Sequence, residues 1–218
     1  MFCSSNSLFF SQVLLANLYF AAMSKLNRIT VFCGARDGAE VTYMEQASAL
    51  GKALATQNIE LVYGGADLGL MGAVANGALN ANGKVIGVLP SFLQTREIAH
   101  QDLTELIIVS SMHERKTKMN ELCDGIIALP GGFGTMEELF EILTWVQLGL
   151  QNKPIGILNV NGYFDSLITF IQTMVAKDFL REVDENLLIV RNEIDDLLTE
   201  MKNYSIPPIK NQMNNDLT

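Results

Sequence analysis

The chain has 218 residues, of which 49% are hydrophobic and 18% charged, and its net charge is −9. This composition indicates a folded globular protein, and the length suits one domain with a substantial core. The negative charge argues against a general nucleic-acid-binding surface. A bound phosphate would need local groups that overcome an unfavourable overall field.

Cysteine and histidine are rare. The cysteines are Cys3, Cys33 and Cys123, the histidines are His100 and His113, and none of them forms a CxxC pair or a spacing typical of metal ligands. This pattern argues against both a disulfide scaffold and a zinc site. We therefore predict a cytoplasmic protein that uses no metal and no cofactor.

The first 22 residues need a separate interpretation. Phe9–Phe20 is apolar, like the centre of a secretory signal, but no Lys or Arg precedes Lys25. A signal peptide normally begins with positive charge, and this apolar run is too short and too interrupted to span a membrane. We predict that residues 1–22 are an upstream extension and that Met23 is the natural start, with a targeting role as the alternative. No membrane association is expected.

From Arg28 onward, short apolar runs rich in β-branched residues alternate with longer stretches of helical periodicity. These two patterns are typical of strands and helices, respectively. In chain order the predicted elements are strand Ile29–Cys33, helix Val41–Gln57, strand Glu60–Tyr63, helix Leu70–Asn82, strand Val85–Leu89, an irregular connection Ser91–Thr104, strand Leu106–Val109, helix Met112–Leu122, strand Gly125–Leu129, helix Thr135–Leu150, strand Pro154–Leu158, helix Phe164–Lys177, strand Leu187–Val190 and helix Ile194–Lys202.

The predicted strands are almost continuously apolar instead of alternating. Such strands belong to a sheet that is covered on both faces, which goes with parallel pairing and helical crossovers. We predict one α/β domain over residues 23–203, doubly wound and Rossmann-like, with a mostly parallel sheet of about seven strands. Residues 204–218 are predicted to be a frayed tail. Ligands of such sheets bind at the carboxyl ends of the strands.

The strongest candidate site is a glycine-rich turn that follows a predicted strand and opens a helix. Its glycines are Gly131, Gly132 and Gly134. Glycine allows close approach, and the free amides at a helix start favour an anion. No GK[ST] follows, so the turn is not a P-loop and suits a single phosphate. The alternative is a plain turn in which Thr135 caps the helix, since Thr135 and Glu138 have capping-box spacing.

Two further segments follow predicted strands. The first, Gly64–Gly72, joins a strand to a helix through glycines, but its spacing is not GxGxxG, and a site and a simple turn are equally good interpretations. The second contains His113, Arg115, Lys116 and Lys118. We expect Arg115 to bind an anion, because an acidic protein must supply positive charge locally. For the other three, a solvated first helical turn is as good an explanation.

Taken together, these segments resemble the LOG ("Lonely guy") family of cytokinin riboside 5′-monophosphate phosphoribohydrolases, over about residues 28–202. The family's PGGxGTxxE motif corresponds to Pro130–Glu138, its GGGxxGLMG to Gly64–Gly72 and its MHERK to Met112–Lys116. The stretches Thr144–Gly149, Lys153–Gly156 and Asn161–Tyr163 are also similar to the family. Some relatives carry the label lysine decarboxylase, but no lysine here has the context of a Schiff base.

The resemblance implies hydrolysis of the N-glycosidic bond of a nucleoside 5′-monophosphate, AMP or N6-modified AMP, to a free base and ribose 5-phosphate. It places the catalytic pair on Arg115 and Glu138. The implied substrate-binding residues are Gly131, Gly132, Gly134 and Thr135 at the phosphate, with Gly64, Gly65, Met112 and Lys116 from the other two motifs. Glu137 is expected to point elsewhere and to be structural.

The resemblance also implies a homodimer with the site near the interface, to which Trp145 and its helix are candidate contributors. Two positions depart from the family: Ala35 stands where a CGS turn has serine, and Ala66 replaces the third glycine of GGG. These changes put fine substrate contacts in doubt more than the reaction. The alternatives are a protein of the same fold that carries a nucleotide or molybdenum cofactor without turnover, and a nucleotide sensor.

Overall fold

A computed structural model describes residues 26–94 and 99–205. The predicted extension 1–22, the predicted start at Met23, part of the connection 91–104 and the tail beyond residue 205 lie outside the described residues. Tyr204, where the tail was predicted to begin, packs against the core.

The described chain alternates strands and helices as predicted. The strands are β1 Arg28–Phe32, β2 Glu60–Tyr63, β3 Val85–Pro90, β4 Glu105–Val109, β5 Gly125–Ala128, β6 Ile155–Leu158 and β7 Leu188–Arg191. The helices are α1 Val41–Thr56, α2 Gly69–Asn80, α3 Met112–Leu122, α4 Phe133–Gln147, α5 Asp165–Ala176, α6 Glu182–Glu185 and α7 Ile194–Lys202. Short 3-10 turns cover Ser91–Leu93 and Val160–Gly162.

The seven strands form one sheet in the order β4-β3-β2-β1-β5-β6-β7. Each strand pair among the described residues is parallel, which confirms the doubly wound α/β fold predicted from the apolar runs. The chain moves outward from β1 to β4, returns to β5 beside β1, and then moves outward the other way. The strand order therefore reverses between β1 and β5, where such sheets open a crevice at the carboxyl ends of their strands.

Helices cover both faces of the sheet. Residues of α1, α2 and α7 pack on one face, and residues of α3, α4 and α5 pack on the other. Strands β3, β5 and β6 are buried along their whole length, as expected for central parallel strands. None of the helices within residues 26–94 and 99–205 is long and apolar enough to cross a membrane.

Candidate active site

A cleft of about 730 Å³ opens at the carboxyl edge of the sheet, above the switch between β1 and β5. The loops that follow these two strands form its floor, α3 and α4 contribute side chains, and the β6–α5 connection closes one side. Its lining residues are Cys33, Gly34, Ala35, Arg36, Gly38, Ala39, Glu40, Tyr43, Leu70, Met71, Leu93, Met112, Arg115, Pro130, Gly131, Gly132, Gly134, Thr135, Glu137, Glu138 and Tyr163.

The floor of the cleft is a close approach of two backbones. The amide of Gly34, just after β1, donates to the carbonyl of Pro130, just after β5, at 3.0 Å. A Cβ atom on Gly131 would lie 2.1 Å from Thr135 Oγ1 and 2.8 Å from the Gly34 nitrogen. Because no side chain fits there, glycine at position 131 is a packing requirement of the turn.

The N-terminus of α4 points its amides at the cleft. The helix begins at Phe133, its N-cap residue is Gly132, and no side chain among the described residues caps it. Thr135 is therefore the third helical residue, and the alternative in which Thr135 caps the helix is wrong. Within the described part of the chain, no acceptor is bonded to the amides of Phe133, Gly134 or Thr135. Unpaired amides and the helix dipole together favour an anion at this position.

Arg115 is a buried cation, with 7% of its surface exposed. Its Nε donates to the carbonyl of Val88 at 3.1 Å and its Nη2 to the carbonyl of Gly64 at 3.2 Å, while Nη1 lies 3.9 Å from Met112 Sδ. Across residues 26–94 and 99–205, no carboxylate lies within 4.0 Å of its guanidinium. Carbonyls hold the group in place without neutralising it, so its charge stays available to a ligand in the cleft.

Helix α3 presents Arg115 through a well-formed N-terminus. Ser111 is the N-cap, and its hydroxyl accepts from the amide of Glu114 at 3.1 Å. The Glu114 carboxylate accepts in turn from the backbone and the hydroxyl of Ser110, at 2.7 and 2.6 Å. These bonds pair polar groups at the start of the helix. Glu114 therefore has a structural role, whereas Arg115 is the buried charge of this segment.

Glu138 contributes a buried carboxyl to the lining of the cleft. It is 9% exposed, and no hydrogen-bond donor among the described residues contacts its carboxylate. Burial raises the pKa of Glu138 from its ordinary value to about 7, the charge of Arg115 opposes that rise, and Glu137 adds to it. A carboxyl with a strongly perturbed pKa in a cleft, beside a buried arginine, is a candidate for catalysis.

Three predicted residues lie beside the lining instead of in it. Lys116 Nζ contacts Glu137 Oε1 at 2.5 Å and Glu141 Oε2 at 3.0 Å, so it joins α3 to α4. Gly64 touches Arg115, because a Cβ on Gly64 would lie 2.1 Å from Arg115 Nη2. Gly65 has a φ of +83°, which favours glycine. Direct substrate contact by Lys116, Gly64 and Gly65 stays a prediction.

Many lining residues were not predicted as site residues from the sequence, among them Cys33, Arg36, Tyr43 and Tyr163. The first two follow β1, and the rule that ligands sit at carboxyl ends of strands could have selected them. Burial raises the pKa of the Cys33 thiol well above its ordinary value, with a further contribution from Glu138, so this group is neutral. Among the described residues, no cluster of His, Cys, Asp and Glu could hold a metal ion.

The amino-acid sequence matches known proteins over most of its length. A family model described as "Possible lysine decarboxylase" matches residues 71–201. Cytokinin riboside 5′-monophosphate phosphoribohydrolase LOG1 of Arabidopsis thaliana is 42% identical over 181 residues, 83% of this chain and 85% of the relative. The chain belongs to the LOG family. A probable cytokinin riboside 5′-monophosphate phosphoribohydrolase, LOGL6 of Oryza sativa subsp. japonica, is 43% identical over 182 residues, 84% of this chain and 73% of the relative.

Solved structures share the fold at lower identity. The molybdenum cofactor binding protein of Rippkaea orientalis is 24% identical, with a TM-score of 0.62 over 81% of this chain and 95% of its own. The molybdenum cofactor carrier protein of Chlamydomonas reinhardtii is also 24% identical, with a TM-score of 0.61 over 81% of this chain and 96% of its own. These likenesses support the LOG-type fold and nothing finer, since site residues differ freely at such identity.

Proposed function

We propose that this LOG-family protein hydrolyses the N-glycosidic bond of a nucleoside 5′-monophosphate, releasing the base and ribose 5-phosphate. The observation that carries the proposal is the arrangement of Glu138, Arg115 and the unpaired amides of α4 around one cleft. The relatives named phosphoribohydrolases, about 42% identical over most of the chain, support the same activity.

The phosphate binds at the start of α4 in this proposal. The amides of Phe133, Gly134 and Thr135 lack acceptors among the described residues, and Thr135 is 4% exposed beside them. At Gly132 and Gly134, apart from the adjacent backbone, no atom of the described residues lies within 4 Å of where a Cβ would stand. The open space lets an anion approach the backbone, where the helix dipole adds to the hydrogen bonds. A site of this size suits one phosphate.

The proposed reaction breaks the bond between C1′ of the ribose and the base nitrogen. The bonding electrons leave with the base, so positive charge builds on the ribose ring, as in glycoside hydrolysis. The ionised carboxylate of Glu138 stabilises this charge and orients a water molecule toward C1′. The water oxygen bonds to C1′, and its proton passes to the departing base. Arg115 offsets the negative charge of the phosphate or of the leaving base.

The base lies toward the apolar part of the cleft. Leu70, Met71, Leu93 and Met112 line this part, and Leu93 belongs to the connection between β3 and β4. Their side chains suit a purine and leave apolar surface for a group on N6. We therefore propose AMP-type nucleotides as substrates and include N6-modified forms among them.

A cofactor carrier of the same fold is the alternative function. A carrier has no need of a buried, unpaired carboxylate beside a buried arginine, and the solved carrier proteins resemble this chain only at 24% identity or below. These two facts favour the hydrolase. A carrier would bind a nucleotide tightly and release no base.

The deciding experiment measures base release from AMP and from isopentenyladenosine monophosphate, with adenosine and isopentenyladenosine as controls. We expect release from the monophosphates only. Glu138→Gln keeps the size of the side chain and removes its charge, so release should fall by at least about a hundredfold. Binding of nucleotide without any release by the wild-type protein would overturn the hydrolase and favour the carrier.

We also propose that two copies of the chain associate through the faces of α4 and α5. Of the apolar residues of α5 only Ile171 is buried, and a groove of about 220 Å³ lies between these helices. The groove is lined by apolar residues that include Phe140, Leu143, Met174 and Leu180. Trp145 is half-buried against the core on this side of the sheet. An identical surface on a second copy would cover the groove and bring two α4 helices together.

A further inference from the structure

The connection between β6 and α5 contributes one aromatic side chain to the cleft, that of Tyr163. Its hydroxyl donates a hydrogen bond to the carbonyl oxygen of Gly131 at 2.5 Å. The bond crosses 32 residues of sequence, from the 3-10 turn after β6 to the glycine turn after β5. Tyr163 therefore touches the backbone of the proposed phosphate site without belonging to it.

The turn that presents Tyr163 is braced on several sides. Asn161 and Gly162 have φ values of +50° and +70°, in the left-handed region that most residues avoid. The Asn159 side chain stabilises this geometry: its Nδ2 donates to Asp165 Oδ1 at 2.8 Å and its Oδ1 accepts from the Phe164 amide at 2.8 Å. A turn of this kind holds the backbone of Tyr163 in one place.

Aromatic contacts fix the ring as well. The Tyr163 ring lies 5.9 Å from the Tyr43 ring at an interplanar angle of 78°, and 5.0 Å from the Phe164 ring at 86°. Edge-to-face pairs of this geometry are favourable. Phe164 is buried in the core, so the contact ties Tyr163 to a rigid part of the molecule.

The direction of the Gly131 carbonyl determines the direction of the N–H group in the same peptide. In a trans peptide the C=O and N–H groups point in opposite directions, and the described residues contain no cis peptide. The carbonyl of Pro130 is bound by the Gly34 amide, and the carbonyl of Gly131 is bound by Tyr163. The amides of Gly131 and Gly132, on the far side of the same peptides, have no acceptor among the described residues.

We propose that Tyr163 is a positioning residue of the phosphate site, whose hydroxyl holds the Gly131–Gly132 peptide with its N–H free for the anion. Without that hydroxyl the peptide can rotate and turn its carbonyl oxygen toward the phosphate, where the two would repel. The inference rests on the proposed function, since it concerns how the phosphate of the substrate is bound. It adds a residue outside the glycine turn to the site.

The test is Tyr163→Phe, which removes the hydroxyl and keeps the ring against Tyr43 and Phe164. We expect the KM for AMP to rise about fivefold, the loss of one hydrogen bond, and kcat to stay within about twofold. Inhibition by ribose 5-phosphate should weaken by the same factor, while inhibition by free adenine should not change. The matched control is Tyr204→Phe, because the Tyr204 hydroxyl is buried without a hydrogen-bond partner among the described residues and does not line the cleft.

A purely structural role gives a different result: a lower melting temperature, with adenine and ribose 5-phosphate affected alike. That result overturns the proposal, as does an unchanged affinity for ribose 5-phosphate. Calorimetric titration of both proteins with ribose 5-phosphate needs no turnover. If wild type releases no base, the proposed reaction fails, and the titration still decides whether Tyr163 orients the anion site.

Discussion

Two features of the surroundings of Glu138 have opposite effects on the charge of its carboxyl group. It is deeply buried, which disfavours its charge, and it faces a buried arginine, which favours that charge. The balance brings its pKa to about 7, the range in which a carboxyl can change protonation state at neutral pH. The proposed reaction uses the ionised form, so activity should follow the titration of this one group.

We predict that kcat/KM for AMP rises with pH through about 7 and levels off above about pH 8. The sign follows from the raised pKa: below it Glu138 is protonated and neutral, and cannot stabilise the positive charge on the ribose ring. The measurement is a pH–rate profile in a buffer series of constant ionic strength. A profile that falls through pH 7 would mean that the protonated acid is the active form.

Neighbouring charges provide a sharper version of the test. Glu137 raises the pKa of Glu138 and Lys116 lowers it. We predict that Glu137→Gln moves the midpoint of the profile to lower pH and that Lys116→Gln moves it to higher pH. The phosphate of the substrate also titrates near pH 6, but neither variant would shift its pKa in this pattern. Equal midpoints in all three proteins would assign the transition to a group other than Glu138.

The sequence predicted Arg115 and Glu138 as a pair because the family motifs mark both positions. It did not predict that Arg115 is held by the carbonyls of Val88 and Gly64. Those contacts depend on how the ends of β2 and β3 lie beneath α3, which no local pattern encodes. Tyr163 was missed as a site residue for the same reason, since its partner Gly131 is 32 residues away.

At the scale of elements, α4 carries both the proposed anion site at its start and the Glu138 carboxylate about one turn later. The predicted start at Thr135 was two residues late. Phe133 and Gly134 are weak helix formers, so the sequence pattern indicated a loop at these two positions. The predicted end at Leu150 was also late. Gly149 has a φ of +72°, so the chain leaves the helix at the usual left-handed position of a glycine. The four-residue α6 is too short for periodicity to reveal.

We predict opposite effects for two alanine substitutions around this helix start. In Gly131→Ala the new methyl group collides with Thr135 Oγ1 at 2.1 Å, so unfolding should become easier by about 1–3 kcal/mol. In Gly134→Ala the methyl group meets no described neighbouring atom within 4 Å and the helical residue gains propensity, so the free energy of unfolding should hold or rise. Chemical denaturation measures both. Equal losses of stability would mean that the turn does not require a bare backbone at position 131.

At the scale of the molecule, runs of β-branched residues were enough to predict a parallel sheet covered on both faces. They could not give the strand order, because each apolar strand fits any central position equally well. The order became visible only with the pairing of β1 to β5, and this pairing creates the cleft. The fold class was therefore predictable from local pattern, and the strand order that places the cleft between β1 and β5 was not.

The proposed dimer through α4 and α5 predicts the mass of the particle in solution. Phe170 is 56% exposed and one turn from Met174 in the groove, so Phe170→Glu should place charge within the proposed interface and give particles of 24.0 kDa. Wild type should show twice that mass in light scattering. Val41→Glu, at an apolar residue that is 74% exposed at the start of α1, should leave the mass unchanged. A dimer that survives Phe170→Glu would place the interface elsewhere.

The reversal of strand order also has a consequence for how the protein becomes active during synthesis. The first half of the chain supplies β1 to β4 and Arg115, yet the glycine turn and Glu138 come only after β5. A nascent chain released before β5 carries Arg115 without Glu138 and lacks the proposed anion site. The pairing of Ile29 in β1 with Gly125 in β5 joins positions almost one hundred residues apart in the sequence. Forming it therefore requires the closure of a long loop. Catalytic activity should therefore appear in one late step, when β5 pairs with β1. It should also be the first property lost when that pairing opens.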